Sequence, residues 1–463
     1  MKYIKDHMSY LLLALLMGCT QPGSQSTPAS EYSENNYLHD PIVSESTNKS
    51  SQDATSKAEP NGILTLGDVL ALTLVHNPEL NIFSLETRAA QARELQAGLW
   101  PNPEIGVEVE NVGGTGELSG FDGAETTLQL SQLIELGDKS QKRKNVASFE
   151  KELANLDYQN KRLDVFSDAA KAFISVLKAQ EKLQLSSELL KLSDESFQIV
   201  EKKVTAGKDS PVEKNRAAVA LANTKMSYHE DRQNLDYARK QLASFWGQNE
   251  PLFERAAGDM ENIGPLLTLE NLTGRLKLNP EYTRWESEIK KNRAILDLEK
   301  SRAIGDITIG AGLRRFNESD DNAFVFGVSI PLPLSDRNQG AKQEAVYNLA
   351  KSREEKKAAW LKLQNEFNQT YREYANSFHQ ATSLKNEVLP AAIDMFNAAT
   401  KGYEQGKIDY LNVLDAQRTL FSTKGEYVNA LAECHIRKTE LERLIGQTLE
   451  TTELIEKRGT GHE

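Results

Sequence analysis

From Leu64 onward the apolar positions follow two alternating rhythms. "LTLGDVLALTLVHNPEL" has helical spacing and predicts a short helix, which Asn77-Pro78 stops; proline then opens a second helix at a tolerated first position. That helix runs through "ETRAAQARELQAGLW" until Pro101 and Pro103. The rhythm then changes to period two: Ile105, Val107 and Val109 alternate with Glu104, Gly106, Glu108 and Glu110, predicting a strand with one apolar and one acidic face. After the glycine-rich "NVGGTGELSGFDG", Thr126, Leu128 and Leu130 alternate with Thr127, Gln129 and Ser131, completing a β-hairpin with a long loop. The next 69 residues, Asp138 to Ala206, contain no glycine or proline. An unbroken helix there spans roughly 100 Å. Gly207 makes the turn, Pro211 restarts a helix, and that helix runs to Gly247.

The second half repeats this programme. "LTLENLTGRLKLNPEYTRW" opens it from Leu267, and Ile307, Ile309, Ala311 and Leu313 alternate. "AFVFGVSIPLPL" then sets Phe324, Phe326, Val328 and Ile330 on one face. A long helical run from Ala341 to Gly402 carries one kinking Pro390, Gly406 turns the chain, and a last helix ends near Gly446. "LVHNPEL" (74 to 80) returns as "LKLNPEY" (276 to 282). Residues 207 to 248 align without a gap on 406 to 447, with ten identities in 42 positions, among them Gly207 on Gly406, Lys208 on Lys407 and Tyr228 on Tyr427. Unrelated segments would share about two or three. The chain is read as an internal duplication, with residues 63–248 the first repeat, 249–266 a linker, 267–447 the second repeat and 448–463 a tail.

Composition fits elongated helices rather than globules, with 39% apolar residues and a mean hydropathy of −0.53. The net charge of −12 disfavours a nucleic-acid partner. At the N-terminus Lys2 and Lys5 precede an apolar run from Tyr10 to Met17, too short to span a bilayer and so a secretion signal over residues 1–18. Leu16-Met17-Gly18-Cys19 resembles the bacterial lipobox, which implies acylation of Cys19. Thr20 follows the cysteine, without the aspartate that resembles an inner-membrane retention signal, so outer-membrane sorting is implied. Residues 19–62, rich in Ser, Thr, Asn and Pro, are expected to be a solvated, lipid-anchored tether.

Four strands per chain have the length for a tilted membrane crossing, but an open sheet in lipid leaves its edges unpaired, so oligomerisation must close it. The order of helix, β-hairpin and helical hairpin, written twice from Leu64 to Gln447, resembles the TolC family of outer-membrane efflux ducts. That resemblance implies a mainly α fold with a membrane β portion: duplicated long helical hairpins plus two β-hairpins per chain, assembled as a trimeric α-barrel and a 12-stranded β-barrel. It implies a passive duct of a tripartite system, with a homotrimer in outer-membrane lipid, a periplasmic adaptor and an inner-membrane pump of the resistance-nodulation-division (RND) type as partners. "LWPNPEIGVEVEN" (99 to 111) and "SQLIELGDKSQKR" (131 to 143) resemble the branch serving cobalt, zinc, cadmium or copper efflux, with departures at Leu133 and at Asp138-Lys139-Ser140. Drugs or other small molecules are the alternative cargo. A lipid-anchored periplasmic scaffold without a pore is the alternative of another class; it predicts no membrane strands.

The resemblance also assigns roles. Gly207 and Lys208, with Gly406 and Lys407, become periplasmic tips that contact the adaptor; Glu213, Tyr403, Asn412 and Asp415 become gate-lining residues. No cofactor, resident metal site or catalytic set is expected. Adjacent Cys434 and His435 point about 100° apart on one helix and have no second pair nearby, and no phosphate loop or Ser-His-Asp set is present. Glu104, Glu108 and Glu110 are read as simple solvation of a water-filled barrel.

Overall fold

The computed structural model describes residues 59 to 446, apart from Leu267; Cys19, the leader, most of the tether and the tail lie outside the described residues. The first element is a three-residue strand, β1 (Ile63–Thr65), leading directly into α1 (Leu66–His76). Thr65 and Asp68 form a reciprocal capping box: the Thr65 hydroxyl accepts from the Asp68 amide at 3.3 Å, and the Asp68 carboxylate accepts from the Thr65 amide at 3.1 Å. Helix α2 (Pro78–Ala97) follows, capped by Asn77 with proline at its first position. Strands β2 (Glu104–Glu110) and β3 (Glu125–Ile134) form the first hairpin, and α3 (Lys139–Thr205) runs unbroken for 67 residues. Helix α4 (Pro211–Ala243) returns antiparallel to it.

The stretch read as a linker contains β4 (Arg255–Ala257), which pairs in parallel with β1, Leu64 opposite Ala256. Three residues are too few to show a period, so the pattern did not reveal it. The tether, read as reaching residue 62, is already packed at Glu59. That carboxylate is buried and accepts from Trp246 Nε1 at 2.9 Å and from the Leu252 and Phe253 amides at 2.6 and 3.0 Å.

The second half continues with a short helix α5 (Leu269–Thr273), α6 (Pro280–Arg302), β5 (Ile307–Phe316) and β6 (Asn322–Ser329). Ile330, placed on the last strand by its spacing, falls just past its end. Helix α7 (Gln339–Ser383) begins two residues earlier than expected, and the break precedes Pro390: a π-turn, Leu384–Val388, separates α7 from α8 (Leu389–Glu404). Proline has no N–H to give the Asn386 carbonyl, and its ring crowds that carbonyl; widening the turn relieves the clash. Helix α9 (Tyr410–Ile445) ends at Gly446, whose φ of +68° suits glycine.

The four long strands form one antiparallel sheet in the order β2-β3-β5-β6. Its two hairpins are joined through β3 and β5, so β2 and β6 are both edges. The sheet meets the helices at a stitched junction. Lys139 Nζ reaches Asp306 at 2.7 Å and the Ile304 carbonyl at 2.6 Å, while the Leu136 amide donates to Asp306 at 2.9 Å. Left-handed residues turn the chain into both descending helices: Asp138 (φ 56°) before α3 and Asn338 (φ 54°) before α7. Below the junction the helices bury three successive cores. Phe173, Val176 and Leu177 pack on Leu242, Trp246 and Leu431. Phe367 and Tyr374 pack on Leu441 and Leu444. Val200 packs on Tyr410, Val413 and Leu414 near the turns.

Candidate functional site

Two regions carry chemistry that core packing does not use: the sheet and the pair of helix turns farthest from it. In the sheet, cross-strand register puts Val107, Leu128, Leu313 and Phe324 in one row and Ile105, Leu130, Ala311 and Phe326 in the next. This whole face is open: Phe326 is 80% exposed and Ile105 76%. A water-soluble surface does not present so continuous an apolar patch. At about 3.3 Å per residue, ten-residue β5 is some 33 Å long, and a barrel tilt of about 40° reduces that to roughly 25 Å, the height of an outer-membrane apolar band.

The opposite face holds Glu104, Glu108, Glu110, Glu125, Thr127, Gln129 and Arg314, interleaved with glycines 106, 310, 312 and 327. Arg314 ties three strands together, donating to Thr127 at 2.9 Å and Glu125 at 2.8 Å and pairing with Glu110 at 2.9 Å. Of the glutamates read as solvated, Glu110 is therefore engaged in the register of the sheet. The glycines keep this face bare: a Cβ on Gly312 would stand 2.5 Å from the Leu128 carbonyl oxygen.

The two distal turns are built alike. At the first, Gly207 takes φ +69°, its amide donates to Val204 and the Lys208 amide to the Lys203 carbonyl at 2.9 Å; at the second, Gly406 takes φ +70°, its amide donates to Tyr403 and Lys407 to Gly402 at 2.9 Å. Both are Schellman closures, in which glycine supplies the left-handed residue. Lys208 and Lys407 are exposed beside them.

Of the residues expected to line a gate, the chain brings two together. Tyr403 donates its hydroxyl to Asp209 at 3.0 Å, joining the second turn to the first. Its ring lies 5.6 Å from that of Tyr410, tilted by 50°, and sits under Lys203 Nζ, 3.5 Å away. Glu213 reaches into the same cluster: one carboxylate oxygen bonds Arg216 at 2.6 Å and the other is buried without a partner. Burial raises the Tyr403 hydroxyl pKa, and the bond to Asp209 adds to it. Burial pushes Tyr410 up to about 12, with the Glu213 charge adding to the effect. Asn412 and Asp415 stand apart on the exposed face of α9. Pattern reading missed Asp209, Lys203 and Tyr410; a lone aspartate in a turn carries no signal of a partner 194 residues away.

Among the described residues no group of three or more His, Cys, Asp or Glu side chains is arranged to hold a metal ion. Cys434 is fully buried, and burial raises its thiol pKa, while His435 Nε2 lies 2.9 Å from the Met260 carbonyl. No described helix is long and apolar enough to cross a membrane.

The family model described as outer membrane efflux protein matches residues 69–248 and again 276–447. The chain is 33% identical to the cobalt-zinc-cadmium resistance protein CzcC of Cupriavidus metallidurans, over 84% of this chain and 91% of that one. It is 23% identical to the nickel and cobalt resistance protein CnrC of the same organism, over 61% and 67%. Among solved structures, the Campylobacter jejuni CmeC outer membrane channel superposes with a TM-score of 0.69 at 15% identity, covering 96% of this chain and 98% of that one. CusC superposes at 0.66 with 18% identity, covering 82% and 92%.

Proposed function

The chain belongs to the outer membrane efflux protein family, and from that premise we propose that it is the passive outer-membrane exit duct of a three-part efflux system for heavy-metal cations. The observation that carries this reading is the two-faced sheet with two unpaired edges, continuous with helices roughly 100 Å long. In lipid, each edge must find a strand. Pairing β6 of one copy with β2 of the next, three times over, closes twelve strands and stacks the long helical arms beneath them into a tube. Helix α4 supplies a matching stripe: Val212, Val219 and Met226, seven residues apart, are each more than half exposed.

The apolar face then meets lipid and the polar face lines water. Arg314 offsets only part of the glutamate charge on that lining, so a cation entering it meets a favourable field. Passage needs no ligand set. The energy comes from an inner-membrane pump, reached through a periplasmic adaptor that docks on the turns at Gly207-Lys208 and Gly406-Lys407. Tyr403 and Glu213 hold the periplasmic end closed within each copy, while Asn412 and Asp415 line the constriction around the threefold axis. Cys19 bears the lipid, and labelled fatty acid entering a Cys19→Ala protein would refute that part.

Cobalt, zinc and cadmium are the favoured cargo because the 33% identical relative is named for resistance to them. A strain lacking the gene should lose survival on those cations and keep its tolerance to a drug panel. Lost drug tolerance with unchanged metal survival would transfer the duct to the alternative cargo.

A further inference from the structure

The junction of sheet and helices carries a cleft that neither the lining of the sheet nor the distal turns use. It encloses about 560 Å³ between the end of α2 and the start of α3, with Leu95, Leu99 and Trp100 on one wall and Asp138, Gln141 and Lys144 on the other. The walls are fastened to each other. The Ser140 hydroxyl donates to the Gly98 carbonyl at 3.0 Å, and Arg143 donates to the Leu99 carbonyl at 3.3 Å. Leu99, Pro101 and Pro103 continue the odd-numbered register of Ile105, Val107 and Val109, so the cleft lies where the apolar face of β2 runs out. Trp100 is 67% exposed there. A ring with an apolar body and an N–H at its rim suits the boundary between hydrocarbon and water.

Most charges around the cleft are already paired. Glu94 is bridged by Lys151, Glu135 by Arg143 and Lys139 by Asp306. Lys144 and Asp138 have no side-chain partner among the described residues, which leaves one cation and one anion lining the same space. Gly98 makes room for the cation: its φ of −85° is open to any residue, yet a Cβ there would stand 3.3 Å from Lys144 Cδ. The lysine stem therefore lies over the glycine. The second junction provides the contrast, since the charges of its cleft of about 500 Å³ are engaged within the chain. There Arg302 bonds Glu299 at 2.6 Å, and Asp336 accepts the Asn338 amide at 2.8 Å.

We propose that the cleft at the first junction binds an aminophospholipid of the periplasmic leaflet, with Lys144 on the phosphate, Asp138 on the primary ammonium, and Leu95, Leu99 and Trp100 against the glycerol and first methylenes. A cation and an anion without internal partners are the complement of a zwitterionic headgroup, and a lysine ammonium is a compact binder of phosphate. A free phosphate would gain the lysine and meet the carboxylate. A divalent cation would find one carboxylate beside a lysine. The acyl chains of a lipid continue onto the apolar face of the sheet, a contact that no soluble phosphate compound makes. The inference rests on the duct reading for the presence of a bilayer at this height, and it goes beyond that reading by naming the lipid class that each copy holds.

The test uses the purified full-length protein, stripped of lipid in detergent and titrated with phosphatidylethanolamine, phosphatidylglycerol or phosphatidylcholine, the bound lipid being counted by native mass spectrometry. Phosphatidylethanolamine should bind about tenfold more tightly than the other two, because a glycerol head offers Asp138 no cation and a choline head offers it no N–H. Lys144→Gln should weaken all three by about tenfold, and Gly98→Ala, which displaces the lysine stem, should act in the same direction. Asp138→Asn keeps a residue tolerant of the left-handed φ of 56°; it should abolish the preference and leave phosphatidylglycerol bound as well as before. In vesicles of brominated phosphatidylethanolamine the quenched emission should be the part that Trp100→Phe removes. Wild-type affinity and preference in both Lys144→Gln and Asp138→Asn overturn the site. So does Trp100 emission quenched by aqueous iodide and not by brominated lipid, and so does displacement of the lipid by soluble phosphoethanolamine. A protein that shows the headgroup preference and never conducts in a planar bilayer sinks the duct reading and leaves the site standing, whereas one that conducts without the preference sinks the site alone.

Discussion

The side-chain amide of Asn77 donates to the carbonyl of Phe245 at 2.9 Å, across 168 residues of chain, while its oxygen accepts from the Leu80 amide at 3.1 Å. Asn279 repeats both contacts in the second half, donating to Leu444 at 2.7 Å and accepting from Glu281 at 2.7 Å. The recurring Asn-Pro is therefore a clasp. It starts one helix and fastens it to the end of the last helix of the same repeat.

Replacing Asn77 by alanine should cost about 1 kcal/mol for the cap and about 1 kcal/mol more for the bond lost to the part-buried Phe245 carbonyl. Asn77→Asp keeps the cap oxygen and loses the donor, so it should fall between wild type and alanine. Denaturant midpoints of the three proteins test the order, and an aspartate variant equal to wild type would remove Phe245 from the account.

An arginine at Phe326, mid-strand on the apolar face, should cost about 2 to 4 kcal/mol in a bilayer. Val325→Arg, on the polar face, should assemble far better. Refolding yield into lipid vesicles measures both, and the reverse ranking would invert the assignment of lipid and water faces.

Two glycines on the polar face should differ in their tolerance of a methyl group. At Gly310 the obstacle is the Gln129 side-chain amide, 2.1 Å from an added Cβ; at Gly312 it is backbone, the Leu128 oxygen at 2.5 Å and Gln129 Cα at 3.0 Å. A side chain can swing aside and a strand cannot. Gly310→Ala should assemble, with Gln129→Ala improving it, and Gly312→Ala should fail in either background.

High pH should loosen the helix turns. Tyr410 ionises near 10 when unfolded and is pushed to about 12 by burial, so the unfolded chain loses its proton first. Its stabilising contribution is complete below pH 10 and disappears as pH rises toward 12. Tyrosinate absorbance followed beside hydrogen exchange of residues 197–217 should show the two changing together, and Tyr410→Phe should remove the pH-linked part.

Asp415 lies nine residues past Gly406, roughly 13 Å from the turn along α9, and is exposed in the single chain. Three copies around one axis would bind a multivalent cation. A trivalent cobalt complex added on the periplasmic side should block conductance, and Asp415→Ala should relieve the block. Persistent block would shift the charged ring to Glu213.

The long helices and the four long strands were legible in the sequence because each depends on local period: 3.6 for "ETRAAQARELQA", 2 for "EIGVEVE", with glycine or proline at the turns between the long helices; the three-residue strands β1 and β4 are too short to show one. Gly207 and Gly406 were readable because a left-handed φ is a property of one residue. The repeat of Asn77 at Asn279 was visible as letters but not as a clasp, since Phe245 and Leu444 accept through backbone carbonyls that carry no sequence signal. The Tyr403–Asp209 bond, the buried Glu213 oxygen and the burial of Glu59 were decided by tertiary structure alone. Each depends on which helix faces which after the chain has doubled back over a hundred residues or more, and a local pattern sets a face without choosing its neighbour.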